Sequence, residues 1–328
     1  MTTVAEADVL RTNPTAGYLA VQIEMLRRLQ HSASDLFVQY KPTCEPVLYH
    51  RAGCPLEAEQ LSKLSDASIH HIYVRTEDFQ HFGAHLLESV DSVPGREIPI
   101  AERFAVLQVA MAVEIEQASR LVQCGAFVSL AQRVGPELSS LLSNGDVLPR
   151  DLFRLARHDF NTFTHVTNVA SYSVILAERL GLCDQAGLTR IATAAILHDI
   201  GKRFIPISIL AKPGKLDPEE RAIIETHPLR GYEELCERPD LNFEQLMIVY
   251  QHHERVDGTG YPVGLRGEEI HPYARMMAVV DVFDAMTGVR PYRRPATAQE
   301  AMEYIRKSAG THFDPEMVAC WDAAMSKS

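Results

Sequence analysis

The sequence predicts a mainly α-helical protein with a small N-terminal α/β unit, a helical connector and an all-helical C-terminal bundle. Three observations carry that expectation. Residues 33–92 hold short β-like runs between turn residues, and Asp91-Ser92-Val93-Pro94-Gly95-Arg96 then breaks the pattern. From Ala101 onward, apolar residues recur near the 3.6-residue period of a helix. Beyond about residue 125 the chain reads as helices joined by polar loops, without internal repeats or low-complexity stretches. The expected division is residues 1–97 for the α/β unit, 98–148 for the connector and 149–328 for the bundle.

In the first unit, Asp35–Tyr40 and Pro46–Arg51 are short β-like runs separated by a turn. Leu56–Leu64 has helical spacing, and Ile69–Arg75 reads as another strand. Thr76-Glu77-Asp78 supplies a cap and an acidic first turn for a helix through about Val90. His70 and His71 are neighbours in the presumed strand, where alternation sends them to opposite faces and argues against a shared metal. In the connector, Phe104, Leu107, Met111, Ile115 and Leu121 form one helical stripe, suited to cover the bundle core or to form a dimer seam. In the bundle, Asp217-Pro218-Glu219-Glu220 starts a helix with a cap, a proline in the first turn and acids beside it. Thr297-Ala298-Gln299-Glu300 is a capping box for a helix expected to end at Gly310. Arg275–Met286 is expected to be apolar on one side and carries Asp281 and Asp284.

The bulk properties narrow the functional classes. A chain of 328 residues has room for two domains that each bury a core. The formal net charge is −11, and residues 1–100 already carry 8 Lys/Arg against 13 Asp/Glu. No basic face is available for duplex nucleic acid, although a few local cations can hold a small anion. The six cysteines form no CxxC pair and are read as reduced thiols, which points to a cytoplasmic protein. The N-terminus lacks the basic start and apolar segment of a signal peptide. The longest apolar stretch, near Phe104–Val113, is too short to insert in a bilayer.

The chemistry is concentrated in polar motifs at the edges of apolar helices. His252 and His253 are adjacent and lead directly into Glu254-Arg255-Val256-Asp257-Gly258-Thr259-Gly260-Tyr261-Pro262. His198-Asp199 follows the apolar run Ile191–Leu197 and precedes Gly201-Lys202. Ending a buried helix on two polar ligands is costly unless a cation is present. The chain's other His-Asp pair, His158-Asp159, lies in a polar run and reads as solvated surface. His165, His227 and Asp281 occupy comparable positions on other helical segments. Five imidazoles and two carboxylates without a thiolate suit Mn, Fe, Ni or Zn. They are too many ligands for one ion and suit a pair bridged by a carboxylate.

The combination HD-x-G-K, T-H-P, H-H-E-x-x-D-G-x-G-Y-P, D-V-F-D-A-M-T and R-P-Y-R resembles the HD-GYP domain, a helical branch of the HD superfamily that hydrolyses cyclic di-GMP. The resemblance runs from about residue 150 to the C-terminus. It implies an HD-type bundle in which His165, His198, Asp199 and Asp281 serve one metal. His227, His252 and His253 would serve a second, with Asp199 shared. It implies two divalent transition-metal ions, with Fe or Mn ahead of Ni or Zn. Some family members recruit a third metal through a glutamate four residues before the first histidine. Asn161 stands there in this chain, so two ions are expected.

The resemblance also places Lys202, Tyr261, Arg290 and Arg293 on the substrate, with His198, Asp199 and Lys202 in the catalytic group. The implied reaction is hydrolysis of cyclic di-GMP to linear pGpG, with a further step to GMP left open. Cyclic GMP-AMP is an alternative substrate, because a metal site reads phosphate rather than base. A different class of reading is a non-catalytic cyclic-dinucleotide receptor or a docking partner of a GGDEF-type cyclase. Homodimerisation is also left open. The intact HD and GYP residues favour the enzyme.

Overall fold

The computed structural model describes residues 18–26, 29–41, 44–67, 69, 71–75, 77–78, 81–82, 85, 124–143, 149, 162–210, 212, 214–288 and 294–326. The connector stripe from Phe104 to Leu121, His70, His158, Asp159, Asn161, Arg290 and Arg293 lie outside the described residues, as does most of the helix expected over 76–90. The chain divides into two compact units, Met1–Ile98 and Pro99–Ser328.

The first unit contains β1 (Tyr18–Gln22), α1 (Ile23–Leu26), β2 (Leu36–Val38), β3 (Val47–His50), α2 (Ala58–Asp66) and β4 (His71–Arg75). The strands form an antiparallel sheet in the order β1-β4-β2-β3. Tyr18 pairs with Arg75, Phe37 with Tyr73, and Val38 with Val47. Alternation buries Ile72 and Val74 of β4, while all three residues of β2 are buried. Leu61 and Leu64 are the buried residues of α2, and Tyr49 Oη donates to the Gln60 carbonyl at 3.0 Å. Strand β1 was not expected from the sequence. Its conformation is decided by pairing with a strand fifty residues away, which local propensity does not report.

The described helices of the second unit are α3 (Cys124–Leu142), α4 (Thr162–Leu180), α5 (Gln185–Leu197), α6 (Ile207–Leu210), α7 (Pro218–Ile224), α8 (His227–Leu235), α9 (Phe243–Gln251), α10 (Pro272–Thr287), α11 (Ala298–Lys307) and α12 (Pro315–Ser326). Helix α5 is the buried centre. Ile191, Ala192, Ala194, Ala195, Ile196 and Leu197 are all buried, and α3, α4 and α9 pack around it. Helix α3 approaches so closely that a Cβ on Gly135 would stand 2.3 Å from Thr193 Oγ1. Tyr172 of α4, Phe283 of α10 and Trp321 of α12 form a second buried cluster, with ring centroids 5.4–5.9 Å apart.

The cap chemistry matches the expected starts of α7 and α11. Asp217 accepts from Glu220 N while Glu220 accepts from Asp217 N, and Thr297 and Glu300 make the same exchange. Helix α11 ends at Lys307, short of Gly310, which instead takes a positive φ in the following turn. Helix α10 departs from its expected one-sided character. It is buried from Ala274 through Thr287 at most positions, because α4, α9, α11 and α12 surround it.

Candidate metal centre

Helix ends deliver most of the polar residues. His165 lies in the first turn of α4, His198 and Asp199 close α5, and His227 opens α8. His252 caps α9, His253 follows it, and Asp281 projects from α10. Gly201 explains how α8 reaches the end of α5. A Cβ there would stand 1.9 Å from the His227 carbonyl oxygen and 2.6 Å from Gly231 N. Any side chain would push His227 away from Asp199.

The seven residues meet around Asp199. His165 Nε2 is 3.8 Å and His198 Nε2 3.3 Å from Asp199 Oδ2. Asp281 Oδ1 lies 3.3 Å from His165 Nε2 and 4.0 Å from His198 Nε2. On the other carboxylate oxygen, His227 Nε2 is 3.2 Å and His252 Nε2 3.8 Å from Asp199 Oδ1. Among the described residues, two groups of donor atoms are close enough to hold an ion: His165, His198 and Asp199, and Asp199, His227, His252 and His253. Asp199 is common to both.

The opposite edge of each of four imidazoles is anchored. Nδ1 of His198, His227 and His252 meets the carbonyls of Ala195, Ile224 and Val249 at 2.7, 2.8 and 2.9 Å. His165 Nδ1 donates to Asp284 Oδ2 at 2.8 Å. A carbonyl or carboxylate accepts, so each Nδ1 donates outward and each Nε2 is turned toward the cluster. Those Nε2 atoms point toward carboxylate oxygens and toward each other, with His227 Nε2 3.3 Å from His252 Nε2. His198 Nε2 and Asp199 Oδ1 are buried without a hydrogen bond. A centre of converging imidazole nitrogens and carboxylate oxygens fits a divalent transition metal, which imidazole and carboxylate both bind.

The electrostatics follow the same geometry. Burial alone would raise the Asp199 carboxyl, but the Lys202 ammonium and the neighbouring imidazoles hold it well below the usual carboxylate range. Burial would lower His165, yet its bonds to Asp281 and Asp284 push it up to about 10. His252 has no such pair of carboxylates, and burial takes it down to about 4.

Lys202 Nζ donates to Asp199 Oδ2, and its side chain is 35% exposed. The Tyr261 ring packs 4.8 Å from that of His253 and 6.3 Å from that of His227. Burial pushes its hydroxyl far above the usual tyrosine range. Two residues absent from the expected set buttress the centre. Asp284 accepts from His165 Nδ1 through one oxygen and from Asn168 Nδ2 through the other, at 2.8 Å each. The second aspartate of the D-V-F-D motif was the available signal, because a helix places it one turn from Asp281.

A helical bundle that turns five imidazoles and two carboxylates onto one buried point defines a metal-binding helical domain. The chain belongs to the HD domain family, whose model matches residues 149–317. That family is metal-dependent, in keeping with the donor cluster. The chain is 38% identical over 229 residues to the cyclic di-GMP phosphodiesterase response regulator RpfG of Xanthomonas campestris pv. campestris, covering 67% of this chain and 58% of that protein. It is 42% identical over 162 residues to a cyclic di-GMP phosphodiesterase of Thermotoga maritima, covering 49% and 44%. It is 42% identical over 159 residues to the 3'3'-cGAMP-specific phosphodiesterase 2 of Vibrio cholerae, covering 48% and 30%. The chain thus spans 58% or less of the length of each of these relatives. Bd1817, an HDG"Y"P protein from Bdellovibrio bacteriovorus, shares the fold with a TM-score of 0.65 at 19% identity, over 94% of this chain and 100% of that one. No helix among the described residues is long and apolar enough to cross a membrane.

Proposed function

We propose that this protein is a cytoplasmic metal-dependent phosphodiesterase that hydrolyses cyclic di-GMP to pGpG. The observation that carries the proposal is the pair of donor groups joined through Asp199. In this reading His165, His198, Asp199 and Asp281 hold one ion, and His227, His252 and His253 hold a second with Asp199 shared. Fe or Mn is favoured over Ni or Zn. When bound, such ions supply the Lewis acidity that activates water near neutral pH and draws charge from a phosphoryl group. The carbonyl and carboxylate anchors on Nδ1 keep the imidazoles turned inward. Lys202, at the edge of the cluster, offers a cation to the phosphate. Tyr261 packs beside His253 and offers a ring and a hydroxyl to the same ligand. Arg290 and Arg293 enter as phosphate-binding groups on sequence alone.

Residues 149–328 are the catalytic domain in this proposal, and residues 1–97 serve sensing, docking or dimerisation through a connector over 98–148. The resemblance to both cyclic di-GMP and cGAMP phosphodiesterases keeps cyclic GMP-AMP as the second substrate to compare. The test is anaerobic purification, metal analysis and product analysis with the two dinucleotides side by side. Metal-dependent formation of pGpG, lost in H198A and D199A, is the expected result. Metal-loaded protein that binds the dinucleotide and leaves it intact would make the chain a receptor instead.

A further inference from the structure

We propose that Glu254 is a positioning residue: its buried carboxylate clamps the turn after Tyr261 and so fixes the tyrosine beside the histidine cluster. The inference rests on the reading above in which Tyr261 touches the substrate. Glu254 is only 2% exposed. Its Oε1 accepts from Val263 N at 2.7 Å and Gly264 N at 3.1 Å, and its Oε2 accepts from Gly264 N at 3.0 Å and Leu265 N at 3.0 Å. Three consecutive backbone N–H groups thus converge on one carboxylate.

The surrounding turn gives that clamp its importance. None of the residues from 255 to 269 is buried, and Val263 is 54% exposed. Apolar burial therefore holds this segment only in part, and polar bonds contribute the rest. Glu254 is the buried hub among them. It follows His253 directly, so one stretch of backbone carries both the imidazole and the clamp. Tyr261 N also donates to the His253 carbonyl at 3.2 Å. At Gly260 the chain lies flush on residues 254–255, where a Cβ would stand 2.4 Å from Arg255 N and 2.6 Å from Glu254 Cα. The tyrosine is thereby tied to the histidine segment from both sides.

Glu254→Gln tests the clamp, because an amide nitrogen would face backbone donors that a carboxylate satisfies. In the metal-loaded protein, amide exchange at residues 263–265 should accelerate at least about tenfold. Metal content should be unchanged. The KM for cyclic di-GMP should rise about tenfold while kcat stays within about twofold. Tyr261→Ala should raise KM similarly, and the double variant should be no worse than the stronger single one. Where E254Q fails to fold, Gly260→Ala lifts the same turn and should give the same exchange and KM signature. Unchanged exchange at 263–265 in a folded variant overturns the proposal, as do KM losses that multiply in the double variant. A Y261A variant with an unchanged KM overturns the link to substrate, whereas accelerated exchange in E254Q would still support the clamp.

Discussion

If the two donor groups each hold an ion as proposed, replacing Asp284 by Asn should weaken one site selectively. In the native protein its two oxygens each accept one bond, from His165 Nδ1 and Asn168 Nδ2, both at 2.8 Å, and all three residues are buried. An asparagine has one oxygen and one NH2 group. It can satisfy one donor and must turn its own N–H groups toward the other. An unpaired buried donor costs about 1–3 kcal/mol. If the cost falls on the ligand geometry of His165, affinity drops about 10–100-fold, the range seen when partners of metal-bound histidines are changed. The group of His165, His198 and Asp199 should lose affinity, whereas that of Asp199, His227, His252 and His253 should keep it. Chelator competition on the metal-stripped protein, with metal counted per chain, reads both sites. The swap N168D/D284N restores a donor–acceptor pair and should recover part of the loss. Wild-type affinity at both sites in D284N, or equal loss at both, would refute the reasoning.

On the proposed two-ion reading, Asp199→Ala should remove both ions, because its two oxygens face the two groups, whereas His198→Ala should spare the second; metal content of each purified variant checks this. Gly201→Ala forces a Cβ to within 1.9 Å of the His227 carbonyl and should cost about 1–3 kcal/mol, read as a lowered urea midpoint. His312 is held down to about 4, first by burial and then by Arg255, so the unfolded chain binds the extra proton between that value and about 6.5. Its contribution to stability is therefore fully present above about pH 6.5 and lost as pH falls toward 4. Urea midpoints of H312F should show a flatter acid limb than wild type, and an unchanged slope would reject that assignment.

The helical class and the small α/β unit were legible because their signals are local. Apolar residues near the helical period, the cap at Asp217 and the capping box at Thr297, and β-like runs ending in turns each occupy a short window of sequence. Strand β1 escaped because its hydrogen-bond partner lies at residues 71–75. The all-round burial of α10 escaped because a sequence window does not reveal how many helices will surround it. The seven polar residues stood out as costly groups at apolar edges. Their buttresses did not, because Asp284 and Glu254 resemble ordinary helix and loop acids until their partners are placed.

The sequence by itself determined which groups could bind: imidazoles and carboxylates, inserted where burial penalises them, beside a glycine-rich turn. Only tertiary structure decided their arrangement around Asp199, which nitrogen of each ring faces inward and which acids brace them. Side-chain type is a property of one position, whereas coordination and hydrogen-bond geometry depend on distances between helices more than a hundred residues apart in the chain.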